Sequence, residues 1–278
     1  MPINNEDLSF VVQGPIVKDT CKVIASIKKF YPGSPIILST WPGEEVESCI
    51  DMCSEVVLSD DPGDLGNLYA NGSAKNNINR QITSSLNGLK RVKTRYAVKT
   101  RTDFLIANNN LINVLGNEIY REFTINSQFR IVKQRIAAVG ADRSYPFFCF
   151  DFSFAGLKED LLNLFDIPLM DYQTAQFFTY ITEPLKFKYI PEQWIILSFL
   201  RKNKKNIPAY YSSYKIANVE LYQMSNLNYA SNFILTDFDM FGVRPIKKSL
   251  QWLLNKNSDK HMYYADWIKM YEYYINNY

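Results

Sequence analysis

Histidine is nearly absent from this chain of 278 residues: His261 is the single one. A zinc site built on two or three histidines is therefore excluded. A Ser–His or Cys–His catalytic pair would have to use His261. Metal chemistry, if any, falls to carboxylate oxygens, which suit Mg²⁺ or Mn²⁺ better than Zn²⁺. Cysteine is also scarce. Cys21, Cys49, Cys53 and Cys149 form no metal-ligand spacing, and they read as reduced core thiols, with Cys49 and Cys53 on one face of a helix. No apolar run reaches the roughly 18 residues of a membrane-spanning helix. The N-terminus Met-Pro-Ile-Asn-Asn-Glu-Asp is polar and acidic, unlike a secretory signal. The cytoplasm is thus the expected compartment. A large excess of one charge is missing too, since 31 Lys and Arg stand against 28 Asp and Glu. That balance argues against nucleic acid as a partner.

What is present is a regular alternation. Ser9–Val12 reads as a strand ending in Gln13-Gly14-Pro15. Residues 18–31 carry Val23, Ile24, Ile27 and Phe30 at helical spacing and stop at Pro32-Gly33. Residues 35–41 read as a buried strand, 44–53 as a short helix and 55–59 as a third strand. A polar loop over 64–75 precedes a helix over 76–92, and 96–99 forms a fourth strand. Strands alternating with helices predict an α/β chain with a mainly parallel sheet flanked by helices. Ligands of such sheets bind beyond the carboxyl ends of the strands. There the sequence places Gln13-Gly14-Pro15, Ser39-Thr40-Trp41, Asp60-Asp61 and Arg101-Thr102-Asp103.

The later chain is less regular. A helix is expected over 105–120, a strand pair over 130–139, an aromatic strand over 148–154, and helices over 157–165 and 191–202. The tail from Ile246 onward is basic and aromatic. It suggests a helical extension, residues 246–278, on a main unit of residues 1–245. Its Trp, Tyr and Lys residues suit either packing on the core, an oligomer contact, or a membrane surface. Three segments carry candidate chemistry. Asp103 is a carboxylate beside the basic Lys99 and Arg101. Asn77 and Arg80 stand at a helix start, where anions are favoured. Glu192 lies on the first turn of an apolar helix, placed either to compensate the helix dipole or to accept a proton.

Taken together, Phe10-Val-Val-Gln-Gly-Pro15, Ile37-Leu-Ser-Thr-Trp41, Ser59-Asp-Asp-Pro-Gly63, Asn77-Ile-Asn-Arg-Gln81, Ser85-Leu-Asn-Gly-Leu89, Lys99-Thr-Arg-Thr-Asp103, Asp151, Gly156 and Pro191-Glu-Gln193 resemble the WavE family of lipopolysaccharide synthesis proteins. The family is similar to glycosyltransferases of the GT-A type, with a Rossmann-like sheet and nucleotide-sugar donors. The resemblance implies transfer of a sugar to a bacterial surface glycan, with inversion. It places Arg101-Thr102-Asp103 where such enzymes carry Asp-X-Asp, leaving Asp103 as the carboxylate for Mg²⁺ or Mn²⁺. It implies that Gln13, Gly14, Pro15, Thr40, Asp60, Asn77, Arg80, Arg101 and Asp103 face the donor, with His261 as a further donor candidate. Asp151 and Gln193 would face the glycan or lipid-linked acceptor, and Glu192 would be the catalytic base. A sugar nucleotidyltransferase and a non-catalytic carbohydrate-binding protein are the alternatives. The single Gly in the first loop speaks against the former.

Overall fold

Short runs of β-branched and large apolar residues, most of them cut off by a Gly, Pro or Asp turn, produce the central sheet. The computed structural model describes residues 3–67, 74–117, 129–176, 190–207, 219–254 and 259–277. In chain order the main elements are β1 (Leu8–Gln13), α1 (Thr20–Phe30), β2 (Ile36–Thr40), β3 (Glu55–Leu58), α2 (Ile78–Arg91), β4 (Tyr96–Arg101), β5 (Phe104–Ile106), α3 (Leu111–Gly116), β6 (Ile136–Val139), β7 (Ala141–Asp142), β8 (Ser153–Leu157) and α4 (Lys158–Phe165). They continue with α5 (Tyr172–Gln176), α6 (Pro191–Lys202), α7 (Val219–Asn232), β9 (Phe233–Thr236), α8 (Phe238–Phe241), β10 (Val243–Pro245), β11 (His261–Met262) and α9 (Tyr264–Asn277).

Seven strands form one sheet in the order β3-β2-β1-β4-β8-β6-β9. β3, β2, β1 and β4 run parallel to one another, as do β6 and β9, while β8 runs antiparallel to both β4 and β6. This is the mostly parallel, helix-flanked Rossmann-like arrangement that the alternation predicts. β1, β2 and β4 are buried almost throughout, as expected for strands covered on both faces. Among the described residues there are also two two-stranded ribbons, β10 with β5 and β11 with β7.

α2 lies on β1 and β2 at very short range. A Cβ added at Gly88 would come within 2.4 Å of Val11 Cγ1 and 3.0 Å of Ser39 Cβ. Only glycine permits that approach.

Several expectations are corrected. Residues 44–53 form two 3₁₀ turns, Val46–Ser48 and Ile50–Met52, so Cys49 and Cys53 do not share an α-helical face. The four thiols are free: Cys49 and Cys149 are buried, Cys21 and Cys53 half-buried. The helix expected over 105–120 is instead β5 followed by the short α3, with 118–120 outside the described residues. Of 130–139, only β6 is a strand. The aromatic run 148–154 is irregular up to Phe152, where the backbone bonds to the turn after β6 rather than to a neighbouring strand, and its rings pack on one another. Phe150 lies 5.2 Å from Phe152, and Phe152 4.9 Å from Phe104. Within the loop 64–75, Asn67 and Lys75 make an antiparallel bridge, and 68–73 lie outside the described residues.

The tail turns inward. Tyr263, Trp267, Tyr271 and Tyr274 are buried, and α9 packs on α7 and β9, while Trp252 and Tyr273 remain exposed. Among the described residues no helix is long and apolar enough to cross a membrane.

Candidate active site

A cleft of about 480 Å³ opens at the carboxyl ends of the parallel strands. Its first wall is the β1–α1 loop. β1 pairs with β2 and β4 so that Gln13 is level with Ser39 and Arg101. Gln13 is fixed there because Ser84 Oγ of α2 donates to its Oε1 at 2.7 Å. Gly14 follows at φ +122°, and a Cβ there would meet Thr102 Oγ1 at 3.3 Å. The loop can therefore present bare backbone to a ligand. Glu44 ties down the same wall, since Ile16 N donates to its Oε2 at 2.6 Å.

The second wall is the start of α2. Arg80 donates through Nε and Nη2 to the Asp61 carboxylate at 2.7 and 2.6 Å, and through Nη1 to Asn77 Oδ1 at 2.9 Å. Its guanidinium also lies 5.5 Å from the Trp41 ring. Arg80 is thus oriented before any ligand arrives.

The floor is a charged cluster. Arg101 donates through Nε and Nη2 to the two oxygens of Asp103 at 2.9 and 2.8 Å, and its Nη1 is 3.8 Å from Asp151 Oδ1. Burial opposes the Arg101 charge, but Asp151 and Asp103 more than offset it and raise its pKa. Burial likewise pushes Asp103 up, and Arg101 and Lys247 outweigh it, so its carboxyl stays below the ordinary carboxylate range. Asp151 arrives from the other half of the chain because β8 runs antiparallel to β4, and Thr100 pairs with Ser153. Beneath it Lys99, wholly buried, donates from Nζ to the Asp151 carbonyl at 2.5 Å. Burial pulls the Lys99 ammonium down to about 7.

Glu192 closes the cleft from the first turn of α6, where Pro191 starts the helix. Burial pushes its carboxyl up to about 8, helped by the neighbouring Asp151 charge. A carboxyl poised near neutral pH in a cleft is suited to accept a proton.

The structure therefore brings Gln13, Gly14, Pro15, Asn77, Arg80, Arg101, Asp103, Asp151 and Glu192 to one cleft. Four expected site residues stand apart from its lining. Thr40 is fully buried at the end of β2. Asp60 is exposed, and its neighbour Asp61 holds Arg80 instead. Gln193 is fully buried, with Nε2 donating to Pro146 O and Oε1 accepting from Ile190 N, so it braces α6 rather than facing an acceptor. His261 is buried in an aromatic cluster, 5.3 Å from both Phe150 and Trp252, and burial holds its pKa below the usual range. Sequence reasoning missed Glu44, Lys75, Gln81 and Lys247 as cleft residues. Gln81 was legible as the end of Asn-Arg-Gln; Lys247 carried no local signal.

The residues present do not fit a resident Mg²⁺ or Mn²⁺ at Asp103. Such an ion needs several oxygen ligands. Both Asp103 oxygens already accept from Arg101, and Lys247 Nζ lies 2.9 Å from Oδ2. Among the described residues no three Asp, Glu, His or Cys are grouped to hold a metal.

The family described as WavE lipopolysaccharide synthesis matches residues 8–278. No curated protein sequence matches the chain. Among solved structures, one similar fold is the 4-diphosphocytidyl-2C-methyl-D-erythritol synthase of Anaerococcus prevotii, at 12% identity and TM-score 0.36, covering 80% of this chain and 98% of that one. Another is a cytidylyltransferase of Leptospira borgpetersenii, at 11% identity and TM-score 0.37, covering 98% of each chain.

Proposed function

The chain belongs to the WavE lipopolysaccharide synthesis family, and from that premise we propose that it is a nucleotide-sugar-dependent glycosyltransferase acting on a bacterial surface glycan. One observation carries the reading: Glu192, its carboxyl pushed up to about 8, faces the Arg101–Asp103–Asp151 cluster across a cleft at the strand ends. Transfer requires an acceptor hydroxyl to lose a proton as it attacks the anomeric carbon, while the bond from that carbon to the phosphate oxygen breaks. Glu192 accepts the proton. Arg80 and Arg101 face the negative charge that gathers on the departing nucleotide. Gln13, Gly14 and Pro15 line the side where the nucleoside would lie. Attack from the face opposite the leaving group inverts the anomeric carbon. No step needs a metal.

The acceptor is a glycan or a lipid-linked glycan. A membrane-surface role for the tail would rest on the exposed Trp252 and Tyr273, and liposome flotation of the full chain against the Trp252→Ser, Tyr273→Ser variant tests it.

The discriminating assay presents UDP-, GDP-, CMP- and dTDP-sugars with lipopolysaccharide acceptors, and in parallel nucleoside triphosphates with sugar 1-phosphates. Release of a nucleotide from one sugar donor, with an inverted product by NMR, is the expected result. Release of pyrophosphate in the parallel arm would instead make the protein a sugar nucleotidyltransferase. Binding of glycan with no turnover in either arm would make it a carbohydrate-binding protein.

A further inference from the structure

Lys247 stands outside every motif of the sequence, yet it sits at the centre of the charged floor. The chain delivers it by a backbone clip. β10 pairs antiparallel with β5, with Pro245 level with Phe104. Ile246 N then donates to Asp103 O at 3.0 Å. The next residue is therefore forced beside Asp103, and Lys247 Nζ meets Oδ2 at 2.9 Å. Asp103 thus holds two cations at once, Arg101 on both of its oxygens and Lys247 on one. The Lys247 side chain is half exposed and the Arg101 side chain about a quarter exposed, so both present N–H donors to the cleft while anchored from behind.

We propose that Lys247 and Arg101 form a diphosphate-binding pair that does the work of a divalent cation, with Asp103 as the positioning carboxylate. The proposal rests on the glycosyltransferase reading only for the identity of its natural ligand, the diphosphate of a nucleotide sugar. The chemistry is that of ammonium and guanidinium donors on phosphate oxygens, with Arg supplying the planar fork and Lys a point charge. A metal ligand in the place of Asp103 would need free oxygens; a positioning carboxylate needs them occupied, as they are. The boundary drawn in the sequence at residue 245 runs through this clip, so the tail supplies part of the site.

The test uses inorganic pyrophosphate and isothermal titration of the full chain, first in EDTA and then in Mg²⁺ or Mn²⁺. Wild type is expected to bind pyrophosphate in EDTA, with no gain in affinity on adding either metal beyond that required to saturate the EDTA. Lys247→Ala should weaken binding by on the order of ten- to a hundredfold, the loss of one or two charged hydrogen bonds, and Lys247→Arg should restore most of it. Arg244→Ala, on the strand just before Lys247 but paired with Asp239 and outside the cleft, should bind as wild type does. Asp103→Asn should weaken metal-free binding, but less than Lys247→Ala does, since it loosens the anchor of both cations and removes no ligand contact. Pyrophosphate binding that appears only with metal, or binding that Asp103→Asn abolishes while Lys247→Ala leaves it intact, overturns the proposal, as does the absence of any binding. The transfer assay above is separate. Metal-free pyrophosphate binding without sugar transfer would retire the glycosyltransferase reading and keep the anion site.

Discussion

Residues up to Arg101 and residues beyond it build the same cleft by opposite means. The first part is a run of parallel strands whose last residues all reach one edge, so Gln13 and Arg101 arrive at the site as the ends of β1 and β4. The second part delivers residues sideways: Asp151 from the lead-in to a reversed strand, Glu192 from a helix start, Lys247 from a ribbon that clips onto β5. The first part supplies backbone and anchored cations. The second supplies the raised carboxyl of Glu192 and the second cation on Asp103, Lys247.

The sharpest way to break this division is to remove Glu192. Glu192→Gln is expected to lower turnover by roughly 10²- to 10⁴-fold with the fold retained, measured by initial rates and circular dichroism. In wild type, turnover should rise with pH along a limb near 8 as Glu192 ionises, and that limb should vanish in the variant. Near-normal transfer by Glu192→Gln would mean the second part does not hold the base.

The next effect belongs to the first part. Gly88→Ala should destabilise by about 1–3 kcal/mol through overpacking against Val11 and Ser39, measured by urea unfolding. A loss well below this range would mean that α2 can lift from the sheet and that Arg80 is not rigidly placed.

Smaller and subtler is a pair of opposed pH effects on stability, one from each part. The Glu192 carboxyl is raised to about 8 in the folded chain. Its contribution is full below its ordinary value and is lost as pH rises toward 8. The Lys99 ammonium is lowered to about 7. Its contribution is full above its ordinary value near 10 and is lost as pH falls toward 7. Each has a slope of at most about 1.4 kcal/mol per pH unit. Between 7 and 8 the two should cancel. Relative to wild type, Glu192→Gln should therefore gain stability from pH 5 to 7, and Lys99→Met from pH 10 to 8, both read from urea midpoints. Parallel pH curves for wild type and either variant would remove that group from the balance.

The two parts also differ in how much the sequence discloses. β1, α1, β2, β3, α2 and β4 are legible because each carries a periodic or continuous apolar set, and all but α2 end at or near a Pro, Gly or Asp turn. The site residues at their ends are legible for the same reason, to within one residue: Asp60 was expected where Asp61 binds Arg80. Past Arg101 the local signals fail. The aromatic run at 148–152 looks like a strand because alternation in a run of Phe cannot be told from stacking. Glu192 was visible as a first-turn carboxylate on an apolar helix, but its raised pKa depends on burial from other elements. Lys247 was invisible, because its meaning lies in pairing with a strand far back in the chain. His261 was singled out for its rarity, and its surroundings are apolar rings.

The reversed direction of β8 has a consequence for how the site could vary. A parallel strand offers its terminus to the cleft, and lengthening it would push the next helix out of place. A reversed strand offers its beginning, and the chain before it is bound to the turn after β6, where Phe150 N donates to Gly140 O and Cys149 bridges Ala141. Thr100 is level with Ser153, so Asp151 is held between the β4 pairing on one side and that turn on the other. Insertions or deletions would therefore be tolerated in the loop over 143–146 and not beside Asp151, so this wall could change shape while the carboxylate stays in place.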